Sequence, residues 1–203
     1  MTLEERIRAE LNPAQAEAVL VNDRPQLILA GAGSGKTRVL TWKIAWLIGG
    51  LGRKPWEIVA LTFTNKAARE MRERAEKLMG QSAPEWMGTF HGICARILRR
   101  DGGFLGYGDA FTIYDDDDQR KVCAEACDKL GIKTPTPDIF RRIISSAKNR
   151  DEGPEQLAAA FDPVSKNAAK VMDHYQKALK AADAMDFDDL LLNVLDLFRR
   201  FPE

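Results

Sequence analysis

Cysteine is scarce: three residues in a chain of 203. That is too few for a disulfide scaffold, and it suits a reducing compartment. Long apolar runs are missing as well. No segment approaches the roughly 18 uninterrupted apolar residues that a membrane span needs. The first residues, MTLEERIRAELNP, carry acids and no apolar block, which argues against a secretory signal and leads us to expect a cytoplasmic protein. Net charge is lacking too, with 30 Lys and Arg against 30 Asp and Glu. The apolar share of 45% is ordinary for a globular chain and excludes wholesale disorder.

The zero sum hides an asymmetry. Residues 1–100 carry 16 basic and 10 acidic side chains, whereas residues 101–203 carry 14 and 20. Charges more than about 8–10 Å apart are screened at physiological salt, so an anionic ligand responds to the local balance. The N-terminal half is where an anion is expected, although unevenly solvated helix faces would give the same count.

Strands and helices alternate through the first hundred residues. Leu3–Val21 has helical spacing broken at Asn12-Pro13, which predicts two short helices. Pro25–Ala30 reads as a buried strand feeding a glycine turn, and Lys36–Ile48 as a helix ended by Gly49-Gly50. Glu57–Phe63 and Trp86–Phe90 read as further strands, each followed by a helix (65–79 and 91–100). This rhythm indicates a parallel sheet with right-handed crossovers. After Asp101 nearly everything reads as helix: 116–130, 137–148, 154–160, 163–182 and 186–200, with Pro137, Pro154 and Pro163 at helix starts.

Ala30-Gly31-Ala32-Gly33-Ser34-Gly35-Lys36-Thr37 fits G-x-x-x-x-G-K-[ST], with alanine in the first slot. The glycines let backbone N–H groups converge on phosphates, and the helix N-terminus adds partial positive charge. Lys36 would reach the β- and γ-phosphates, and the Thr37 hydroxyl would ligate Mg²⁺. A phosphate loop does not by itself separate kinases, GTPases, ATPases and motors.

Three weaker elements accompany it. Gln15 has an amide able to pair with adenine, or is simply a surface residue of a helix. Phe63 stands at a strand's carboxyl end, where ligands sit in open α/β sheets, and could stack on a base while Thr64, Asn65 and Lys66 meet phosphates. The plainer alternative is a core phenylalanine followed by a Thr/Asn helix cap. Gly88-Thr89-Phe90-His91 repeats the arrangement of strand end, polar residue and helix start.

The ordered set LNPAQAEAV, AGAGSGKT, ALTFTNKAAREMRER, GTFHGICARILR and MDFDDLL resembles the UvrD/PcrA/Rep family of superfamily 1 DNA helicases, over essentially the whole chain. The resemblance implies an α/β fold: a RecA-like P-loop parallel sheet, incomplete here, with an inserted all-helical subdomain. The expected division is 1–100 for the first part of the motor domain, 101–180 for the helical insertion and 181–203 for the return segment. It implies 3′-to-5′ movement along single-stranded DNA driven by ATP and Mg²⁺, with unwinding at duplex junctions. Gln15 would read adenine, Ala30 to Thr37 would hold the phosphates, and Arg38 would lie near the base. Phe63, Thr64 and Asn65 would line the single-strand path together with Thr89, Phe90 and His91. Asp186-Phe187-Asp188-Asp189 would open the return segment.

In that family the metal-holding acid and the residue that orients water come from an Asp-Glu pair on a later strand, and the arginine fingers come from a second motor domain. The chain is therefore expected to be the N-terminal piece of a helicase, partnered by the remainder of that protein and with little ATPase activity alone. Asp115, after the apolar run Phe111–Tyr114, is the internal candidate for such an acid. Asp115–Asp118 would equally cap the next helix, which is the favoured reading. A complete small P-loop kinase would need Asp115 as its acid; a non-catalytic nucleotide-gated nucleic-acid-binding module would not. His91, Cys94, Cys123 and Cys127 offer soft zinc ligands on paper, against the ordinary role of free cysteine as a small buried hydrophobe.

Overall fold

The computed structural model describes residues 1–202 and divides into two compact units, Met1–Ile93 and Cys94–Glu203. In the first unit, α1 (Leu3–Glu10) and α2 (Pro13–Leu20) each begin with a capping box, Thr2 with Glu5 and Asn12 with Gln15. Each box satisfies the first free N–H groups of its helix from side chains three residues apart. Ile7, Leu11, Ala16 and Val19 from these helices bury against Val39 and Trp42 of α3 (Lys36–Ala45). Lys43 of α3 fastens the pair by donating to the carbonyls of Ala18, Val19 and Val21 at the end of α2. Burial lowers the pKa of that lysine.

α3 runs on into a π-helical turn, Trp46–Gly50. A Cβ on Gly50 would lie 2.1 Å from the Trp46 ring, so glycine is what lets the chain leave past the indole. The expected helix to Ile48 is therefore regular only to Ala45.

β1 (Ala60–Thr62) and β2 (Met87–Thr89) form a parallel pair, with Thr62 opposite Thr89. Their crossover, α4 (Asn65–Met79), covers them through Met71 and Ala75, which join Ile44, Ile58 and Met87 in a second core. Both strands are shorter than expected: Pro55–Glu57 is a 3-10 turn, and α5 (Phe90–Asp101) starts at Phe90. The predicted strand Pro25–Ala30 does not form. Leu27 and Leu29 are 85% and 87% exposed, and no strand pairs with the segment. A strand exists only through a neighbour, and apolar sequence cannot supply one.

The second unit is mostly helical: α6 (Asp116–Leu130), α7 (Pro137–Lys148), α8 (Pro154–Ala158), α9 (Pro163–Ala181) and α10 (Phe187–Arg200). Phe140, Ile144, Val171, Met172, Tyr175 and Leu179 lie in its main core. Phe111–Tyr114 contributes only the short β3 (Thr112–Ile113), parallel to β4 (Ala184–Met185). Phe111, Met185 and Leu190 fill a smaller core beside it. No helix among the described residues is long and apolar enough to cross a membrane.

Candidate functional site

The glycine loop sits where α3 begins. Gly33 and Gly35 adopt φ of 75° and 87°, left-handed values that only glycine holds without strain. Ser34 Oγ donates to the Gly31 carbonyl at 2.7 Å and closes the turn. Lys36 folds back over the loop, its Nζ donating to the carbonyls of Ala30 at 2.8 Å and Gly31 at 2.7 Å. The ammonium thus lies across the turn at the first turn of a ten-residue helix, and both Lys36 and the Gly31–Ser34 backbone are open to solvent. Such an arrangement suits an anion: a positive helix end and an exposed cation across the turn. Thr37, next along, is half-buried.

Gln15 reaches this loop from α2. Its Oε1 accepts from the Asn12 N–H at 3.2 Å, and its Nε2 donates to the Ser34 carbonyl at 3.0 Å. The amide lies 2.9 Å from where a Gly35 Cβ would stand. Both ends of the amide are engaged, so reading a base would require exchanging one of these bonds. Arg38 donates to the Glu10 carbonyl at 2.8 Å and half-exposes its guanidinium.

At the strand ends, the β1–β2 register sets Phe63 and Phe90 side by side, one residue beyond the paired Thr62 and Thr89. Phe63 is 91% exposed, which removes the core-phenylalanine alternative, and its ring centre lies 5.6 Å from that of Phe90 at 36°. Thr64 does cap α4, accepting from the Ala67 N–H at 3.2 Å. Asn65 is exposed at the first helical position, where polar groups meet free backbone donors. Thr89 Oγ1 accepts from the Gly92 N–H at 3.1 Å, and His91 is half-buried in the first turn of α5.

A model of the UvrD/REP helicase N-terminal domain family matches residues 11–203. The chain belongs to that family. It is 45% identical, over 95% of its own length, to the ATP-dependent DNA helicase PcrA of Staphylococcus aureus strain Mu50 and to that of Staphylococcus epidermidis strain ATCC 35984. It spans 27% of the length of those relatives.

Several charged and thiol side chains of this helicase-family chain have structural duties. Arg72, on the basic face of α4, donates to the Met87 carbonyl at 2.8 Å and holds β2 down. Arg69 and Arg74 lie 3.9 and 3.6 Å from Glu73 and Glu70, the solvated-face arrangement of i,i+4 pairs. Asp115 accepts from the N–H groups of Asp117 and Asp118 at 2.9 and 3.0 Å and caps α6; these bonds hold its pKa below the ordinary carboxylate value. Cys123 and Cys127 pack in the main helical core, while Cys94 packs in the smaller one, so the zinc set is not assembled. Burial pushes the Cys123 thiol up to about 12.

Sequence reasoning missed two things. The Gln15–Ser34 bond spans 19 residues and leaves no local signal, although the N-x-x-Q capping pattern announces half of Gln15's role. Lys43, which no sequence signal singles out, ties off the end of α2.

Proposed function

We propose that residues 1–100 are the nucleotide-holding part of a RecA-like motor domain, residues 101–180 its helical insertion, and residues 181–203 the return segment. On this reading the chain binds ATP with Mg²⁺ at Ala30–Thr37 and single-stranded DNA across Phe63, Thr64, Asn65, Thr89, Phe90 and His91. The observation that carries it is the parallel register of β1 and β2, which puts two aromatic rings and two helix starts at one strand edge. Exposed rings on a strand edge stack on bases of any sequence. The adjoining helix N-termini and hydroxyls take phosphates.

The loop's fit to a nucleotide rests on its donor set. Lys36 would exchange the Ala30 and Gly31 carbonyls for phosphate oxygens, with loop N–H groups adding donors. Thr37 would offer its hydroxyl to the metal, and Gln15 and Arg38 would lie toward the base. ATP, when bound, supplies the phosphoanhydride whose cleavage drives movement in a longer helicase; the chain's own residues bind and orient it. Asp115 is committed to its helix cap, so the small-kinase alternative lacks its acid. We expect the isolated chain to turn over ATP slowly or not at all.

The test is fluorescence anisotropy with a labelled oligo-dT strand and, separately, a fluorescent ATP analogue. The wild-type chain should bind both, Phe63→Ala should lose DNA alone, and Lys36→Ala should lose nucleotide alone. Loss of neither ligand in the two variants would refute the reading.

A further inference from the structure

The nucleotide and DNA reading leaves unused a cluster of charges buried in the second unit. Lys148, the last residue of α7, is 1% exposed. Its Nζ lies 2.6 Å from Asp186 Oδ2 and 2.7 Å from Asp189 Oδ1, partners 38 and 41 residues away. The Tyr175 hydroxyl, from α9, donates to Asp186 Oδ2 at 2.9 Å, and its ring centre lies 5.1 Å from the ammonium. The two aspartates also serve the start of α10. Asp186 Oδ1 accepts from the Asp189 N–H at 2.8 Å, and Asp189 Oδ2 accepts from the Asp186 N–H at 3.1 Å.

Hydrogen bonding is thus well satisfied, but charge is not. One ammonium faces two carboxylates, with the Asp186 side chain 3% exposed and that of Asp189 17%, and a charge withdrawn from water without full compensation is costly. Asp186 and Asp189 share Lys148 as their cation. Tyr107 bonds Asn193, and its ionisation is suppressed by burial and by Asp189. Cys123 of α6 is kept a neutral thiol by burial. Asp188 turns to the Asn149 amide, and Arg141 is committed to Asp138 and Asp116. Tyr175 is held protonated by burial and then by Asp186.

We propose that Lys148, Tyr175, Asp186 and Asp189 form a proton-accepting latch that fastens the start of α10 to α7 and α9 and grips harder once Asp189 is neutralised. Burial, with Asp186 beside it, lifts Asp189 to about 6 against the pull of Lys148. Burial opposes the ammonium of Lys148, yet Asp189 and Asp186 outweigh it and hold that lysine charged. A carboxyl whose folded pKa lies above its unfolded value binds more protons folded than unfolded. The latch therefore strengthens as pH falls through about 6 and gains nothing further below about 4. The inference does not depend on nucleotide or DNA binding.

The experiment uses the full chain. Carboxyl ¹³C NMR should show one aspartate titrating near 6 that vanishes in Asp189→Asn. Amide exchange in α10, corrected for intrinsic rates, should report an opening constant about tenfold smaller at pH 5 than at pH 7.5, and this response should be flat in Asp189→Asn. Lys148→Met should open α10 on the order of a hundredfold more, because it strands the buried Asp186 and the half-buried Asp189 without a cation. Should Lys148→Met fail to fold, the Asp189→Asn pair of measurements decides alone. A cluster whose aspartates all titrate in the ordinary range, or an α10 response that survives in Asp189→Asn, would overturn the latch.

Discussion

Lys36 is the residue on which the nucleotide reading turns, and its geometry makes the expectation specific. It already spends its ammonium on two loop carbonyls. Its loss removes a charge-assisted bond worth about 1.5–3 kcal/mol to the phosphates, so Lys36→Ala should weaken ATP-analogue binding roughly ten- to a hundredfold with unchanged circular dichroism. Gly35→Ala should do comparable damage by another route. The left-handed backbone at Gly35 strains any L side chain, and the Gln15 amide, 2.9 Å from the new methyl group, must swing away and give up its place against the loop. At the strand edge, Phe63→Ala should cost about 1–3 kcal/mol of single-strand affinity in an anisotropy titration, the usual value of one base–aromatic stack. Because Phe63 is nearly fully exposed, the same change should leave the urea midpoint where it is. At this scale the sequence was most informative where roles are local. The glycine-lysine turn and the Thr64 cap are readable from neighbours in the chain, whereas the duties of Lys43 and Lys148 depend on carbonyls and carboxylates that only folding brings near.

Among the elements, helix spans were legible, whereas strands were legible only in part: β1 and β2 lie inside two expected strands but are shorter, and Pro25–Ala30 forms none. α6 and α7 occupy the expected spans because their stop signals are chemical and adjacent: Asp115 and Gly131 bracket one, Pro137 opens the other. Asp115→Ala should lower the thermal midpoint by on the order of a few degrees, while Asp115→Asn, whose amide oxygen caps as well, should change little. Neither should touch nucleotide binding, which separates a cap from a catalytic acid. The cap's contribution is present at neutral pH and is lost as pH falls through the lowered pKa of Asp115. Pro25–Ala30 shows why strands escaped. Its residues are those of a buried strand, but pairing is a property of two segments, and this one has no partner. Leu27→Lys and Leu29→Lys should accordingly shift stability by less than about 0.5 kcal/mol in urea unfolding, although the same exchange in a buried strand would be ruinous.

For the molecule as a whole, the alternation of strand and helix pointed to an α/β chain with a parallel sheet, and the structure is a helix-rich α/β chain whose parallel sheets are small. The extent of the sheets was not legible, because β3 and β4 are held together across some seventy residues by a two-residue register. Charge operates at this scale too. With 16 basic and 10 acidic side chains in residues 1–100, single-strand affinity should fall on the order of tenfold between about 50 and 200 mM salt, as expected for two or three phosphate contacts, and a flat log–log plot would deny them. The bare ribbon Leu27–Leu29 runs straight into Ala30, where the phosphate turn starts. On the proposed nucleotide reading, a neighbour that paired with this ribbon would fix the approach to the turn and tighten ATP binding without touching the nucleotide, which makes sheet completion and ligand affinity two readings of a single equilibrium.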